Sequence, residues 1–189
     1  MAETDHGSSR REAGAPPPPG AVTSVTAEVV DLDASPGPVG RGTADDPRLV
    51  IESWMAVPVE GAWLALLLRR APDHGGFWQG VSGRVEPSDR SLRHAALREI
   101  TEETGLSSGI AILDLGRWIS FRGLLSGTYF RKRSLGAVLP AGTRAEAVRL
   151  SEEHDAVELV TFDEARLRMR FPENAAEMTA LERRLATLP

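Results

Sequence analysis

The stretch from residue 98 to residue 106, R-E-I-T-E-E-T-G-L, decides how this chain is interpreted. At about 100° per residue, Glu99, Glu102 and Glu103 fall on one side of a helix, while Ile100 falls on the side that would face a core. Three carboxylates on one helical patch repel one another, which destabilises the helix unless something offsets the repulsion. Divalent cations that prefer oxygen ligands, Mg²⁺ or Mn²⁺, would offset it. The stretch therefore predicts either a metal-binding helix or a solvated acidic helix face.

The neighbouring residues define the ends of this helix and a glycine-containing approach to it. Ser91 is a suitable N-cap and Gly105 a suitable stop, so the pattern predicts a helix over 91–104. The segment 80–88, G-V-S-G-R-V-E-P-S, precedes the helix. Gly83 lets this segment approach a ligand closely because it has no side chain. A backbone carbonyl beside three carboxylates would suit a hard metal ion.

Together these residues resemble the Nudix signature, G-x5-E-x7-R-E-U-x-E-E-x-G-U, in which U is an aliphatic residue. Counting from Gly83, the chain has Asp89 after five intervening residues and Arg98 after eight more. The second half of the signature matches at every specified position. The first half departs twice: Asp89 stands in place of the glutamate, and one additional residue separates it from Arg98. We expect the loop before Ser91 to hold the additional residue, since length changes in loops cost little.

The resemblance extends beyond the signature. The segments F-W-Q-G-V-S-G at 77–83, L-S-E-E-H at 150–154 and F-P-E-N at 171–174 are similar to the Nudix branch that contains dihydroneopterin triphosphate pyrophosphatase. The order of strand-like and helix-like segments, which does not alternate regularly, predicts a mixed sheet flanked by helices. The resemblance implies the corresponding fold class, an α/β (α+β) protein with a Nudix-type α/β/α sandwich and a mixed β-sheet between helices.

The resemblance also implies an activity. Nudix hydrolases cleave a phosphoanhydride (diphosphate) bond, and the implied substrate is a small molecule, either a nucleoside diphosphate linked to another group or a nucleotide or pterin triphosphate. The implied cofactor is Mg²⁺, with Mn²⁺ as a substitute, which would neutralise phosphate charge and lower the pKa of a bound water. Two alternatives remain open: a Nudix-fold nucleotide-binding or sensor module without catalysis, and an acidic helix without any ligand.

At the matching positions, the resemblance assigns roles to the helix residues. Glu99 and Glu103, one turn apart, would bind the metal. Glu102 would join them or hold a second ion, and the carbonyl of Gly83 would complete the site. Arg98 would orient one of the glutamates through charge-assisted hydrogen bonds. On spacing alone, Arg98 could instead form a surface ion pair with Glu102.

The general base has two candidates in the family, a signature glutamate or a carboxylate from a distant loop. In the loop 152–155, E-E-H-D, Glu153 is the candidate of the second kind. A solvated acidic turn would explain the same residues. His154 is interpreted as a surface or supporting residue rather than a catalyst.

Four residues are candidates for substrate binding. Arg69 and Arg70 end a predicted strand and resemble an arginine pair of some relatives, with a solvated strand end as the alternative. Trp78 could stack on a base or a pterin ring, or it could pack in the core. Gln79 could form a hydrogen bond with a ring edge.

Composition divides the chain into a tail and one domain. Residues 1–21 are polar and contain four consecutive prolines, which predicts a disordered proline-rich tail. Residues 22–189 are expected to form a single Nudix hydrolase domain, with a folded core from about residue 48. The strand-like segment 22–32 could pair across a homodimer.

Composition also limits the partners and the compartment. There is no cysteine, which excludes disulfides, thiolate metal ligands and a cysteine nucleophile. The net charge of −5 argues against a nucleic acid polymer as partner, because phosphate contacts need a basic face. No apolar run approaches the ~20 residues of a membrane span. We therefore expect a cytoplasmic protein without a membrane partner.

Overall fold

A computed structural model describes residues 22–123 and 126–188, and within them the chain forms one mixed sheet of eight strands with three α-helices. The strands are β1 (Val22–Ala27), β2 (Arg48–Val59), β3 (Ala62–Arg70), β4 (Trp78–Gln79), β5 (Val81–Arg84), β6 (Ala111–Arg122), β7 (Tyr129–Val138) and β8 (His154–Val160). The helices are α1 (Leu92–Thr104), α2 (Phe162–Arg168) and α3 (Pro172–Leu185). The predicted tail, residues 1–21, lies outside the described residues.

β2 is the central strand of the sheet. It pairs in parallel with β7, and on its other edge it pairs first with β5 and then with β3, both antiparallel. The strand order is β1-β6-β7-β2-β3-β4, and β8 pairs with β3. Because β5 and β3 occupy successive parts of one edge of β2, residues from β3, β4 and β5 line a common cavity with residues of β2.

The sheet separates two apolar layers. In β2, Ile51 and Met55 pack in the layer that contains α1, whereas Trp54 and Ala56 pack in the layer that contains α2 and α3. Successive side chains of a strand point to opposite faces, so an almost unbroken apolar strand contributes to both layers. The predicted α/β/α arrangement around a mixed sheet is confirmed.

The folded part includes residues before the predicted start at 48. β1 pairs with β6 of the same chain, and Leu32 is buried in the layer of α1. Arg93 of α1 also donates a hydrogen bond to Asp33 at 2.7 Å. The segment is thus attached to the domain, and its strand ends at Ala27 instead of continuing to residue 32.

β8 ends at Val160, directly before the cap of α2. Thr161 caps α2, because its hydroxyl accepts a hydrogen bond from the Glu164 backbone N–H while the Glu164 carboxylate accepts one from the Thr161 N–H. Phe162 therefore begins a helix. None of the described helices is long and apolar enough to cross a membrane.

Candidate active site

α1 carries the three glutamates, and its ends agree with the sequence-based prediction. Ser91 is the N-cap and accepts a hydrogen bond from the His94 backbone N–H at 3.1 Å. Gly105 ends the helix with a φ of 72°, a left-handed conformation that glycine adopts without strain. Ile100 is fully buried against the sheet, so the helix has a fixed face toward β5 and β2.

Asp89, at the position of the first signature glutamate, anchors Arg98. The Asp89 carboxylate is buried and accepts hydrogen bonds from Arg98 Nε at 3.2 Å, from Arg98 Nη2 at 2.9 Å and from the Glu86 N–H at 2.8 Å. Burial opposes ionisation of Asp89, but these hydrogen bonds outweigh it and hold the pKa of Asp89 below its usual value. The shorter side chain and the additional residue therefore still leave this carboxylate in contact with the arginine.

Arg98 connects the loop, the strand and the helix. It donates to the carbonyl of Arg84 at 2.9 Å, to Glu99 at 2.8 Å and to Glu102 at 3.2 Å. Both contacts considered from the sequence are thus present together, the one that orients Glu99 and the ion pair with Glu102. The Glu102 side chain is 57% exposed, so its pair with Arg98 contributes little to stability.

Glu99 packs its carboxyl group against Gly83. A Cβ atom at Gly83 would lie 1.9 Å from the Glu99 carboxyl carbon and from one of its oxygens. Only glycine leaves room for the carboxyl group at this place. Burial raises the pKa of Glu99 to about 7, although Arg98 acts in the opposite direction.

Glu103 is buried beside the same strand. Its Oε2 atom is shielded from water and has no hydrogen-bond partner among the described residues, while His154 Nε2 lies 3.7 Å away. Burial, reinforced by the negative charges of Glu99 and Glu153, raises the pKa of Glu103 well above its usual value. An electropositive ligand at this oxygen would favour the ionised carboxylate.

The oxygen atoms near α1 provide part of the ligand set that a divalent cation needs. Within 22–123 and 126–188, no three acidic or histidine side chains converge closely enough to hold a metal ion. Glu103 is buried and Glu99 is half-buried, and the two lie near the Gly83 backbone, whereas Glu102 extends toward solvent. Two carboxylates, one of them with an unpartnered oxygen, and the adjacent Gly83 backbone nevertheless form an all-oxygen set that suits Mg²⁺.

Arg70, Gln79 and His154 lie on the cavity side of these glutamates. Arg70 is 3% exposed and its guanidinium lies 3.4 Å from Glu153, which brings the candidate base near the site. The Gln79 amide nitrogen is 3.3 Å from His154 Nε2. Burial and the positive charge of Arg70 lower the pKa of His154 to about 4, so this imidazole is neutral near pH 7. His154 thus links the cavity to Glu103 without carrying charge.

The structure does not bring Arg69 and Trp78 to this cavity. They are register partners on β3 and β4 and lie on the opposite face, where Arg69 binds Asp155 at 2.7 Å and Trp78 packs in the layer of α2 and α3. The reason is strand alternation, because the residues that follow them, Arg70 and Gln79, point to the cavity. Adjacent pairs in the sequence are therefore split between the two faces.

The cavity also contains residues that the sequence did not single out as site candidates. Its polar lining residues are Glu52, Arg70, Gln79, Ser82, Lys132, Glu173 and Asn174, and its apolar ones are Val22, Val50, Ile51, Phe77, Ile119, Phe121 and Phe171. Glu52 is 4% exposed in a mostly apolar strand, a signal that sequence inspection could have used. Residues 131–133 are three consecutive basic residues, yet Arg133 is fully buried with Asp114, and Lys132 points inward.

Comparisons with known proteins identify relatives of this chain. The sequence model of the NUDIX domain family matches residues 53–181, which is most of the chain. An octanoyltransferase from Myxococcus xanthus is 37% identical over 106 residues, which are 56% of this chain and 29% of that protein. The match thus spans less than a third of this relative's length.

Solved structures share the fold. The E. coli dihydroneopterin triphosphate pyrophosphohydrolase superposes with a TM-score of 0.60 at 20% identity, over 72% of this chain and 95% of that chain. A C. elegans Ap4A hydrolase in a binary complex superposes with a TM-score of 0.59 at 19% identity, over 74% and 98%. The family match and the shared fold together show that this chain belongs to the NUDIX domain family, the family of the Nudix hydrolases.

Proposed function

We propose that the chain is an enzyme that hydrolyses a phosphoanhydride bond in a nucleoside diphosphate derivative, with Mg²⁺ as cofactor and Mn²⁺ as a substitute. Membership in the NUDIX family supports the reaction class. The observation that carries the proposal is the buried Oε2 of Glu103, which has no partner among the described residues. A buried carboxylate oxygen without a donor is costly, and a cation beside it would remove that cost.

Glu99 and Glu103 would hold the metal, and the Gly83 carbonyl would be a further oxygen ligand. Glu102 would serve a second ion from its exposed position. Bound there, Mg²⁺ would neutralise diphosphate charge and make a bound water more acidic. Arg98 fixes the Glu99 carboxylate through its hydrogen bond of 2.8 Å.

The remaining candidate residues would act on the substrate itself. Arg70 lines the cavity and would bind phosphate oxygens through its guanidinium. Glu153, 3.4 Å from Arg70, would accept the proton of the attacking water as general base. Gln79 would face the ring end of the substrate, since it also lines the cavity.

One observation favours a second candidate, a nucleotide-binding module without catalysis. Arg98 already binds both Glu99 and Glu102, and the described residues hold no preformed cluster of three metal-ligating side chains. In such a module Arg98 would take the place of the cation as the neutralising charge. A homodimer and a cytoplasmic location stay predictions from the sequence.

A substrate panel tests the proposed reaction. It contains nucleoside triphosphates, dinucleoside polyphosphates, nucleotide sugars and a pterin triphosphate, and product masses locate the broken bond. We expect turnover that EDTA abolishes and Mg²⁺ restores. Glu103→Gln should lower kcat at least about a hundredfold because electrostatic stabilisation dominates this chemistry. The exposed Glu146→Gln is the control and should match the wild type.

Other outcomes separate the alternatives. Near-normal Mg²⁺-dependent turnover by Glu103→Gln would contradict its assignment as a metal ligand. Nucleotide binding by calorimetry without turnover of any substrate would favour the binding module. No rise in melting temperature with millimolar Mg²⁺ would favour an acidic helix without a ligand, since a ligand specific for the native state stabilises it.

A further inference from the structure

Lys132, Glu52 and Glu177 form a buried charge cluster on the α3 side of the sheet. The ammonium of Lys132 donates to Glu52, and it donates to Glu177 at 3.0 Å. The Ser134 hydroxyl donates to the other oxygen of Glu177. Glu177 is therefore fully engaged within the protein.

The two carboxylates differ in their access to the cavity. Glu52 and Lys132 line the cavity, whereas Glu177 does not. No described residue donates a hydrogen bond to Oε1 of Glu52, whose Oε2 accepts from Lys132. Asn174, 6% exposed, also lines the cavity, and its side-chain amide has no partner among the described residues. Because both side chains line the cavity, these polar atoms can form hydrogen bonds with a ligand or water there.

The rest of the cavity suits a flat ring. Phe77, Phe121 and Phe171 supply aromatic surface, and Ile119 and Val50 add apolar surface. Arg70, Gln79 and Ser82 connect this ring-shaped space to the carboxylates of α1, because the Ser82 backbone binds Glu103. A substrate with its diphosphate at α1 would thus extend its ring toward Glu52 and Lys132.

We propose that Glu52 and Lys132 recognise the 2-amino-4-oxopyrimidine edge shared by guanine and pterin rings. This edge presents two adjacent N–H donors followed by a carbonyl oxygen. A carboxylate accepts from both donors, and an ammonium donates to the carbonyl, so the Glu52–Lys132 pair is complementary to it. Adenine and cytosine present an acceptor nitrogen where the carboxylate needs a donor. The inference rests on the proposed hydrolase site, because it assigns the ring end of the same substrate.

Binding of non-hydrolysable nucleotides tests this inference independently of turnover. The probes are the α,β-methylene analogues of GTP and ATP, measured by titration calorimetry in Mg²⁺. We expect the wild type to bind the guanine analogue at least about tenfold more tightly, since a site that hydrogen-bonds a group rejects ligands lacking it. Glu52→Gln should reduce this ratio to within about threefold of one, because an amide cannot accept from both donors.

Glu177→Gln is the matched control, because it alters the same lysine but does not line the cavity. The control should keep the wild-type ratio. Equal affinities of the two analogues for the wild type, or an equal loss of ratio in both variants, would overturn the inference. If Glu52→Gln does not fold, binding of the inosine analogue to the wild type tests the inference instead. This analogue lacks the amino group and should bind about tenfold more weakly than the guanine analogue. Equal binding of the two analogues would overturn the inference.

A competition experiment distinguishes the two ring sources. A pterin triphosphate that displaces the guanine analogue at lower concentration than GTP identifies a pterin as the preferred ligand, and the reverse order identifies guanine. Displacement by neither compound would contradict the assigned edge. A retained guanine preference without hydrolysis would refute only the proposed activity, whereas hydrolysis without ring preference would refute only this inference.

Discussion

Glu99 and Glu103 differ from Glu102 in how much water reaches them. Burial raises the pKa of Glu99 to about 7 and that of Glu103 well above its usual value. Glu102 is 57% exposed and meets only Arg98. Burial of two like charges on one helix turn favours protonation unless a cation is present, which is why we propose these two carboxyl groups as the metal ligands. The three glutamates share one motif, but their different burial gives them different chemical properties.

Gly83→Ala tests the close packing on which this arrangement depends. The new Cβ would lie 1.9 Å from the Glu99 carboxyl group, so Glu99 must move away. We expect kcat to fall at least about tenfold, because misplacing a catalytic group costs that much or more. Gly142→Ala is the control for a destabilising glycine replacement: its φ of 81° strains alanine, but a Cβ there meets nothing within 4 Å, so kcat should match the wild type. Wild-type activity of Gly83→Ala, measured in the substrate panel, would show that the position of Glu99 is unimportant.

At the scale of elements, α1 is held at both ends and along its side. Its N-cap is Ser91, its last turn ends at Gly105, and Arg98 ties its middle to the loop through Asp89. The position of the helix along β5 is therefore fixed, and with it the position of Glu103. Its hydrogen bonds matter for the site because a small shift of the helix would separate the carboxylates from the strand.

Ser91→Ala tests the contribution of the cap. Removing the side chain leaves the His94 N–H without its acceptor, which should lower the free energy of unfolding by about 1 kcal/mol and also lower kcat. Thr161→Ala removes the equivalent cap of α2 and is the matched control. Urea denaturation should show a similar loss of stability in both variants, but only Ser91→Ala should lose activity. An equal effect of both on kcat would mean that α1 has no special link to the site.

At the scale of the whole molecule, two sets of charged side chains lie on opposite faces of the sheet. The carboxylates of α1 lie on one side, and Glu52 with Lys132 lies on the side of α3. The cavity is lined by Glu52 and Lys132 and also by Ser82, whose backbone contacts Glu103 of α1. The inferred ring site therefore lies next to the proposed metal ligands, although the two groups belong to opposite layers.

Glu52 should also give the molecule a measurable dependence of stability on pH. Burial raises the pKa of Glu52 to about 7, despite Lys132 and with the support of Glu177. Because the folded-state pKa exceeds the unfolded value of 4.5, its contribution is most favourable below pH 4.5 and is lost as the pH rises through about 7. The wild type should therefore lose stability relative to Glu52→Gln between these values. Urea denaturation in metal-free buffer measures this difference.

Glu146→Gln serves as control in this experiment, since that side chain is exposed. Its stability should follow the wild type at every pH. A difference between wild type and Glu52→Gln that stays constant from pH 4.5 to pH 8 would contradict the raised pKa.

Sequence alone predicted the helix of the site, its cap and its stop, because Ser91, Gly105 and the 3.6-residue period act locally. It also predicted the mixed sheet between helices. It offered Arg69 and Trp78 as substrate-binding candidates, with a solvated strand end and core packing as the alternatives, and strand alternation puts both on the face away from the cavity. Glu52 was missed because its partner Lys132 lies eighty residues further along the chain. Contacts of that range depend on register, which a single sequence does not reveal.

The contact between Asp89 and Arg98 bears on how such proteins are found. The segment that separates these two residues is one position longer than the family pattern, and the acid is one methylene shorter, yet the two side chains meet at 2.9 Å. The contact between the two side chains is kept, because the residues between them can adjust their conformation when one residue is added. Search patterns that fix this interval will overlook chains of this kind, whereas patterns that allow a variable gap and either acid will retrieve them.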